Sequence, residues 1–184
     1  MKILQVCPVY YPAFKAGGVV RVAYELSRRL AEKGHEITVY TTDKYQGSSV
    51  PRDTPLDVEG VKTYYFKISS SWLLKKKFYI TPYIIKVVMK EIQNFDVVHM
   101  HDYRTFQNIA VYRYARKYSI PYVLQPHAST PRYTGEARLK LFFDIAFGKK
   151  IIRDAARVIS VSKEEAEFDR MLGASDDKIS VIYN

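Results

Sequence analysis

Polar residues that could bind a ligand or take part in a reaction follow several short apolar stretches of the sequence, at the point where each stretch ends. Short apolar runs bounded by turn residues are typical of buried β-strands. In parallel sheets, ligands bind beyond the carboxyl ends of the strands, so we expect these residues to share one edge of a sheet. They are Gly17 and Gly18, then His101, Asp102, Tyr103 and Arg104, then His127, Ser129, Thr130 and Arg132, and finally Ser162.

The pair Gly17-Gly18 stands directly before a predicted helix. Two residues without side chains would let a ligand approach the backbone, and the N-terminus of the helix would favour negative charge. The dinucleotide spacing G-x-G-x-x-G is absent and no lysine of the Walker type follows, which excludes an ordinary NAD or ATP loop. Taken alone, the pair is explained better by a plain turn than by a binding site.

The histidines allow two kinds of chemistry. His99, His101 and His127 together with Asp102 could ligate zinc, because imidazole and carboxylate are zinc ligands. However, His99 lies inside a predicted strand, so we expect it to pack under a helix while His101 emerges at the tip, and we disfavour the metal site. His127 follows Pro126 in a loop, where a hydrogen-bond donor would suit a hydroxyl-rich ligand; a histidine bonded only to backbone is the alternative.

The elements that would position these residues begin with a βαβ unit. Ile3–Cys7 predicts a buried strand, and the apolar residues of Val19–Leu30 recur at three- and four-residue spacing, which predicts a helix. Gly34 would stop this helix, and Ile37–Tyr40 predicts a second strand. A strand, a glycine turn, a helix and a strand together predict a parallel sheet.

The rest of the chain repeats this alternation, which predicts an α/β fold: a Rossmann-like three-layer domain with a mostly parallel sheet and helices on both faces. Lys44–Gly60 is polar and predicts a loop, and the strands on either side of it could pair differently, which leaves one antiparallel edge open. We expect further strands at Val61–Ile68, Asp96–His101, Pro121–Pro126, Arg157–Val161 and Lys178–Tyr183. We expect helices over 81–92, 105–118 and 139–151, and a short helix after Ser162. Thr81 would be the N-cap of the first of these helices, and Ser162 would form a capping box with Glu165.

The composition fits one domain in a reducing compartment. The chain has 184 residues, enough for a proper core, and no apolar run approaches the ~20 residues that span a bilayer. Its N-terminus predicts a strand and not an export signal, and the single Cys7 can form no disulfide within the chain, which fits the cytoplasm. The net charge of +10 favours anionic partners without choosing among nucleic acid, phosphate esters and acidic membranes. No RNA-binding aromatic signature is present.

Aromatic and aliphatic residues flank three lysines in the stretch Trp72–Tyr79. One interpretation is a patch that faces an anionic membrane or an acceptor, because aromatic rings settle at the interface and lysines attract anionic lipid. The other interpretation, which we favour from the sequence, is a helix whose lysine stems lie over the core surface.

Over nearly its whole length the sequence resembles the N-terminal domain of a family-4 retaining glycosyltransferase of the GT-B type. The order and spacing of several regions together carry this resemblance. They are Pro12–Gly18 with the helix behind it, Asp96–His101, Gln125–His127, Arg157–Glu165 and the closing Lys178–Asn184, which is similar to the segment by which that family leaves its first domain. One departure is Ala128, which stands where many relatives have glycine.

The resemblance implies two Rossmann-like domains with the active cleft between them. Residues 1–184 would be the acceptor-side domain, and the domain that binds most of the nucleotide-sugar donor would lie beyond Asn184, so this chain alone would not transfer sugar. By position, Gly17 and Gly18 would let the backbone approach the donor diphosphate, and His127 would act as the catalytic residue beside the transferred sugar. The acceptor side would be lined by His101, Asp102 and Tyr103, with Arg132 and Ser162 as further substrate-binding residues.

We therefore expect a glycosyltransferase that moves a sugar from a nucleotide sugar to a glycan or lipid-linked acceptor, in cell-surface polysaccharide or glycolipid assembly. It would need no metal and no cofactor beyond the donor, would bind no nucleic acid, and would be cytoplasmic or peripheral at the inner face of the membrane. No obvious carboxylate pair suggests an ordinary glycosidase. The alternatives are a non-catalytic basic module that binds nucleic acid, and a zinc hydrolase that uses His101, Asp102 and His127.

Overall fold

The computed structural model describes residues 1–45, 53–69, 78–131 and 136–183. The strands, in chain order, are β1 (Lys2–Val6), β2 (Glu36–Thr42), β3 (Pro55–Val58), β4 (Val61–Phe66), β5 (Val97–His101), β6 (Tyr122–Gln125), β7 (Arg157–Ser160) and β8 (Ile179–Val181). They form one eight-stranded sheet in the order β3-β4-β2-β1-β5-β6-β7-β8. Every neighbouring pair is parallel except β3 with β4.

The helices connect these strands as the alternation predicts. Thr105 and Ser162 cap two of them through their side-chain oxygens, which accept from the backbone N–H groups of Asn108 and Glu165 at 3.0 and 3.1 Å. Gly34, at φ +83°, lies just beyond the end of the first helix, as predicted. The helices are α1 (Gly18–Glu32), α2 (Tyr83–Glu91), α3 (Phe106–Lys117), α4 (Ala137–Phe143), α5 (Lys149–Asp154) and α6 (Lys163–Leu172), with a π-helical segment, Asp144–Gly148, between α4 and α5.

Apolar side chains cover both faces of the sheet. Successive residues of a strand point to opposite faces, so Leu4 joins the larger core cluster with residues of α2, α3 and α5, while Ile3 and Cys7 join a smaller cluster with Ala23 of α1. The same alternation sends Gln5 to the α1 face. The predicted Rossmann-like, mostly parallel three-layer fold is confirmed.

The prediction that Lys44–Gly60 is all loop was wrong, because β3 lies within it. β3 pairs antiparallel with β4, while β2 and β4, the strands before and after this stretch, pair parallel. Glu59 and Gly60, both at positive φ, form the two-residue connection of the β3–β4 hairpin. β3 has only four residues, of which Leu56 and Val58 are partly buried, so it is too short to give a clear hydrophobic alternation.

Two helix predictions also need correction. The hydroxyl of Thr81 accepts from Gln107 Nε2 at 2.9 Å instead of capping α2. The single helix expected over 139–151 is divided by its π-helical segment, where Gly148 lies against the buried ring of Tyr103: a Cβ at Gly148 would stand 2.3 Å from Tyr103 Oη. A larger residue therefore cannot fit there without displacing that ring.

Most of the predicted patch Trp72–Tyr79 lies outside the described residues. Of the part that is described, Tyr79 is buried and the ring of Phe78 packs on Phe143, with centroids 6.2 Å apart. Within the described ranges, no helix is both long and apolar enough to cross a membrane.

Candidate functional site

Three neighbouring strands bring Gln5, His101 and His127 into one chain of contacts. The chain's connections leave β1 toward β2 and later return to its other side at β5, so the topological switch point lies between β1 and β5. There His101 Nε2 lies 2.7 Å from Gln5 Oε1, and His101 Nδ1 lies 2.9 Å from His127 Nε2. Because parallel strands end at the same edge, residues far apart in sequence meet beside the switch point.

These contacts fix the protonation of the two imidazoles. With the Gln5 amide as oriented in the structure, His101 Nε2–H donates to Gln5, so His101 Nδ1 accepts from His127 Nε2–H. Burial lowers the pKa of His127 to about 4 and holds the pKa of His101 well below its usual value, with the neighbouring His99 adding to the effect on His101. Both rings are therefore neutral near pH 7.

The remaining nitrogen of His127, Nδ1, is then an acceptor. It is buried and has no hydrogen-bond partner among the residues that the structure describes. Leaving such an atom unpaired costs about 1–3 kcal/mol, which marks the loop around His127 as a place for a ligand hydroxyl. With the Gln5 amide in this orientation His127 offers an acceptor, and with the amide reversed it would offer the donor that the sequence interpretation expected.

The structure corrects the expectation that His101 emerges at the strand tip. His99 and His101 are two residues apart on β5, so their side chains share one face, and their ring centroids lie 4.2 Å apart. Both are buried, and burial lowers the pKa of His99 to about 4. The i, i+2 spacing was the signal that sequence reasoning missed.

The side chain of Tyr103 also lies in the core and not at the predicted ligand-binding edge of the sheet. Its side chain is fully buried and its ring packs on Phe143, with centroids 6.0 Å apart, and against Gly148. Asp102, at the same strand end, is half-buried, and its carbonyl accepts from Asn108 Nδ2 at 2.9 Å. Substrate-binding roles for His101, Asp102 and Tyr103 stay predictions.

Left-handed backbone conformations cluster at this edge. Asp102, His127 and Ala128 have φ values of +61°, +55° and +59°. Each costs a residue with a Cβ roughly 1–2 kcal/mol, and such strain persists at functional sites where the surroundings enforce it. The conformation of Ala128 explains why glycine would suit this position, since glycine adopts it without a Cβ clash.

Glu165 holds the loop that follows β6 from the β7 side. The described part of this loop is residues 126–131, and we call it the His127 loop. Its Oε1 accepts from the backbone N–H of Ala128, and its Oε2 accepts from the N–H of Val161 at 2.6 Å. The predicted capping box is thus half formed, because Ser162 accepts from Glu165 while the carboxylate reaches Val161 and Ala128 instead of Ser162. Burial raises the pKa of Glu165, against the effect of the two N–H groups. Sequence reasoning gave Glu165 only a capping role.

Arg104 holds the same loop from the other side. Its guanidinium makes a two-pronged contact with buried Asp144, with both N–O distances at 3.0 Å. Its remaining donors bond the carbonyls of Ser129 and, at 2.8 Å, Thr130. Arg104 therefore positions the loop, and Asp144 is a partner that no sequence motif marked. Arg132, a predicted substrate-binding residue, lies outside the described residues.

The two glycines at the start of α1 differ in backbone conformation. Gly17 has φ +138° and ψ 180°, a region essentially limited to glycine. Gly18 has no positive φ, and a Cβ there would meet nothing within 4 Å. The helix opens without a side-chain cap or an acidic residue in its first turn, so its N–H groups and dipole suit an anion. The fold requires Gly17 but not Gly18.

An aromatic cluster holds the loop that leads to Gly17. The ring of Tyr24 stacks on Tyr11 at 5.4 Å and meets the edge of Phe14 at 5.2 Å. The hydroxyl of Tyr65 donates to the carbonyl of Tyr11 at 2.7 Å. This loop leaves β1 at the same edge at which the His127 loop leaves β6.

The residues described here offer no metal site. No group of three or more His, Cys, Asp or Glu among them is arranged to hold a metal ion. Both ring nitrogens of His101 are engaged by Gln5 and His127. To ligate zinc, His101 would have to give up one of these two contacts.

The fold and the position of the polar edge define the class, a Rossmann-like domain of the kind that forms the N-terminal half of GT-B glycosyltransferases. The sequence profile of Glycosyltransferase Family 4 matches residues 16–184, and the chain belongs to that family. No curated protein matches the chain.

Solved structures share the fold across nearly all of the chain. HepE from Anabaena, in complex with UDP-glucose, matches with a TM-score of 0.67 and 15% identity over 100% of this chain and 44% of its own. Sucrose-phosphate synthase from Thermosynechococcus elongatus has a TM-score of 0.70 and 13% identity, covering 99% of this chain and 47% of its own. UDP-GlcNAc 2-epimerase from Methanocaldococcus jannaschii has a TM-score of 0.56 and 16% identity, covering 99% and 45%. At such identities the likeness shows the fold alone, and the chain spans less than half the length of these proteins.

Proposed function

We propose that the chain is the acceptor-side domain of a retaining glycosyltransferase that moves a sugar from a nucleotide sugar to a glycan or lipid-linked acceptor. The family membership supports sugar transfer, and the binding of UDP-glucose by HepE supports a nucleotide-sugar donor. The observation that carries the proposal is the unpaired buried acceptor of His127, in a strained loop held from both sides at the switch point.

We infer separate tasks for the two parts of the edge. The N–H groups and dipole of α1, open at Gly17 and Gly18, would stabilise charge developing on the departing diphosphate. His127 would accept from a hydroxyl of the transferred sugar and hold it in position, since orientation alone supplies a large part of a rate enhancement. A second, donor-binding domain would supply the remaining contacts.

The residues that hold the His127 loop would act on substrate only through that loop. Glu165 and Asp144 are buried, and their carboxylates bond backbone N–H groups and Arg104 respectively. We therefore assign neither of these two carboxylates as a nucleophile. In this proposal the nucleotide sugar is the only co-substrate and the reaction needs no metal ion. Nucleic acid is not a partner.

The natural full-length protein, incubated with a panel of nucleotide sugars beginning with UDP-glucose, tests this function through release of nucleoside diphosphate. We expect at least one donor to support release, and His127→Ala to lower its rate about 100-fold because the sugar loses its orientation. His35→Ala is the matched control, since His35 precedes β2 at the opposite edge of the sheet and its Nδ1 contacts the N-terminus. Release from no donor, or equal rates for His127→Ala and His35→Ala, would contradict the proposal.

A further inference from the structure

Five large apolar side chains are exposed within one short stretch that begins in α4. They are between 39 and 65% exposed and define what we call the α4 face: Leu139, Leu141, Phe142, Ile145 and Phe147. Residues on the opposite side of this stretch are buried, including Phe143, Asp144 and Gly148. A contiguous exposed apolar patch on a protein surface marks an interaction site.

The orientation of this face is fixed by the contacts beneath it. Asp144 is held by Arg104, Phe143 packs on Tyr103, and Gly148 lies against the same tyrosine ring. The exposed side chains therefore cannot turn inward without breaking a buried ion pair and a packed aromatic cluster.

Basic residues stand at both ends of the α4 face. Arg138 precedes it, and Lys149 and Lys150 follow it; all three are exposed and none forms an ion pair with a residue in the described ranges. Glu136 is the one exposed acidic residue between 136 and 150. The whole chain carries a formal net charge of +10. The face thus combines an apolar centre with ends that carry three exposed basic residues and one exposed acidic residue.

The α4 face is attached directly to the candidate site. Lys140 Nζ donates to the carbonyl of Pro131 at 3.4 Å, and Asp144 shares Arg104 with the carbonyls of Ser129 and Thr130. Whatever binds the face is therefore held next to the His127 loop.

We propose that the α4 face docks on an anionic lipid bilayer, so that the His127 loop is held at the level of the headgroups. An amphipathic surface of this composition inserts its apolar side chains at the headgroup–acyl boundary, while basic residues attract anionic lipid. A symmetric pairing of two copies through the face would bring together three basic residues of each copy with only Glu136 of each as an acidic counterpart, which disfavours a second copy as the occupant. The docking itself does not depend on the proposed function. Only the statement that docking would present a lipid-linked acceptor to the site rests on that function.

Vesicle co-sedimentation of the full-length protein tests this surface without any donor. We expect binding to vesicles of phosphatidylglycerol and phosphatidylcholine, and binding at least about tenfold weaker to phosphatidylcholine alone. The double variant Phe142→Asp/Ile145→Asp should weaken binding about tenfold or more, since it places charge at the apolar centre. Lys149→Glu/Lys150→Glu should have a comparable effect that shrinks as salt is added.

Met171→Asp is the matched control, because Met171 is 76% exposed but lies on α6, outside the α4 face. It should bind anionic vesicles like the unchanged protein, and circular dichroism should show every variant folded. No binding to anionic vesicles, equal loss in the Met171 control, or a dimer that Phe142→Asp/Ile145→Asp dissociates while vesicle binding persists would each overturn the proposal. If the unchanged protein turns over donor but does not bind anionic vesicles, only this inference is refuted; if it binds vesicles but turns over no donor, only the proposed function is refuted.

Discussion

Burial decides what His127 offers to a ligand. The sequence correctly marked the residue as one that follows a strand end, but neither its hydrogen bond to His101 nor its left-handed backbone could be deduced from composition. Those features arise from Gln5, Glu165 and Arg104, which come from distant parts of the chain. The spacing of His99 and His101 was readable, since an i, i+2 pair on a strand shares one face.

Gly17 and Gly18 should separate stability from function. Gly17→Ala places a Cβ in a region limited to glycine and should lower the free energy of unfolding by about 1–3 kcal/mol. Gly18→Ala meets open space and should leave stability unchanged or raise it by up to about 1 kcal/mol, because alanine is the better helix former. In the full-length protein Gly18→Ala should nevertheless slow donor turnover by crowding the diphosphate. Urea denaturation and nucleotide release measure the two effects; a stable, fully active Gly18→Ala protein would remove the glycine pair from the site.

Buried titratable groups should make stability depend on pH in two opposing ways. The pKa of His99 and of His127 is about 4 in the folded protein and about 6.5 in an unfolded chain. As the pH falls from about 6.5 toward 4, the unfolded chain binds protons that the folded protein does not, so the free energy of unfolding decreases. Burial raises the pKa of Asp169 to about 7, whereas in an unfolded chain it is about 3.9, so between these pH values the carboxyl takes up a proton on folding and its contribution to stability grows as the pH falls.

Asp169→Asn removes the opposing contribution while keeping an acceptor for Ser160, whose hydroxyl donates to Asp169 at 2.7 Å. Urea denaturation at about pH 7 and about pH 5 should therefore show a larger loss of stability on acidification in Asp169→Asn than in the unchanged protein. An equal or smaller loss in the variant would show that Asp169 does not take up a proton on folding.

At the scale of elements, hydrophobic periodicity identified the long helices and the buried parallel strands, because each buries one face or both. It missed β3, a short edge strand with little to bury, and it missed the π-helical segment. Within that segment Gly148 lies against the ring of Tyr103, which is 45 positions earlier in the chain. Contacts of this range leave no local pattern.

The connection between α6 and the His127 loop depends on one carboxylate. Glu165→Gln keeps the size of the side chain but replaces an oxygen acceptor with an amide donor that faces a backbone N–H, so it should lower the free energy of unfolding by about 1–3 kcal/mol. Glu164→Gln is the matched control, since Glu164 is adjacent and exposed, and should change stability by about 0.5 kcal/mol or less. Thermal or urea denaturation compares them; equal effects would show that Glu165 does not hold the loop.

At the scale of the whole molecule, the alternation of strands and helices predicted a parallel sheet and the edge at which ligands would bind. It did not predict the strand order, which places the switch point between β1 and β5 and so makes Gln5 a neighbour of His101. Order along a sheet depends on pairing between distant segments. The family membership and the fold shared with HepE agree with the predicted fold.

The central claim is that the edge between α1 and the His127 loop forms half of a sugar-transfer cleft. A crystal structure of the full-length protein with a bound nucleotide sugar tests it most directly. We expect the diphosphate to lie on the first turn of α1 beside Gly18, and a hydroxyl of the transferred sugar to lie about 3 Å from His127 Nδ1. A nucleotide sugar bound productively elsewhere, with neither contact, would contradict the account.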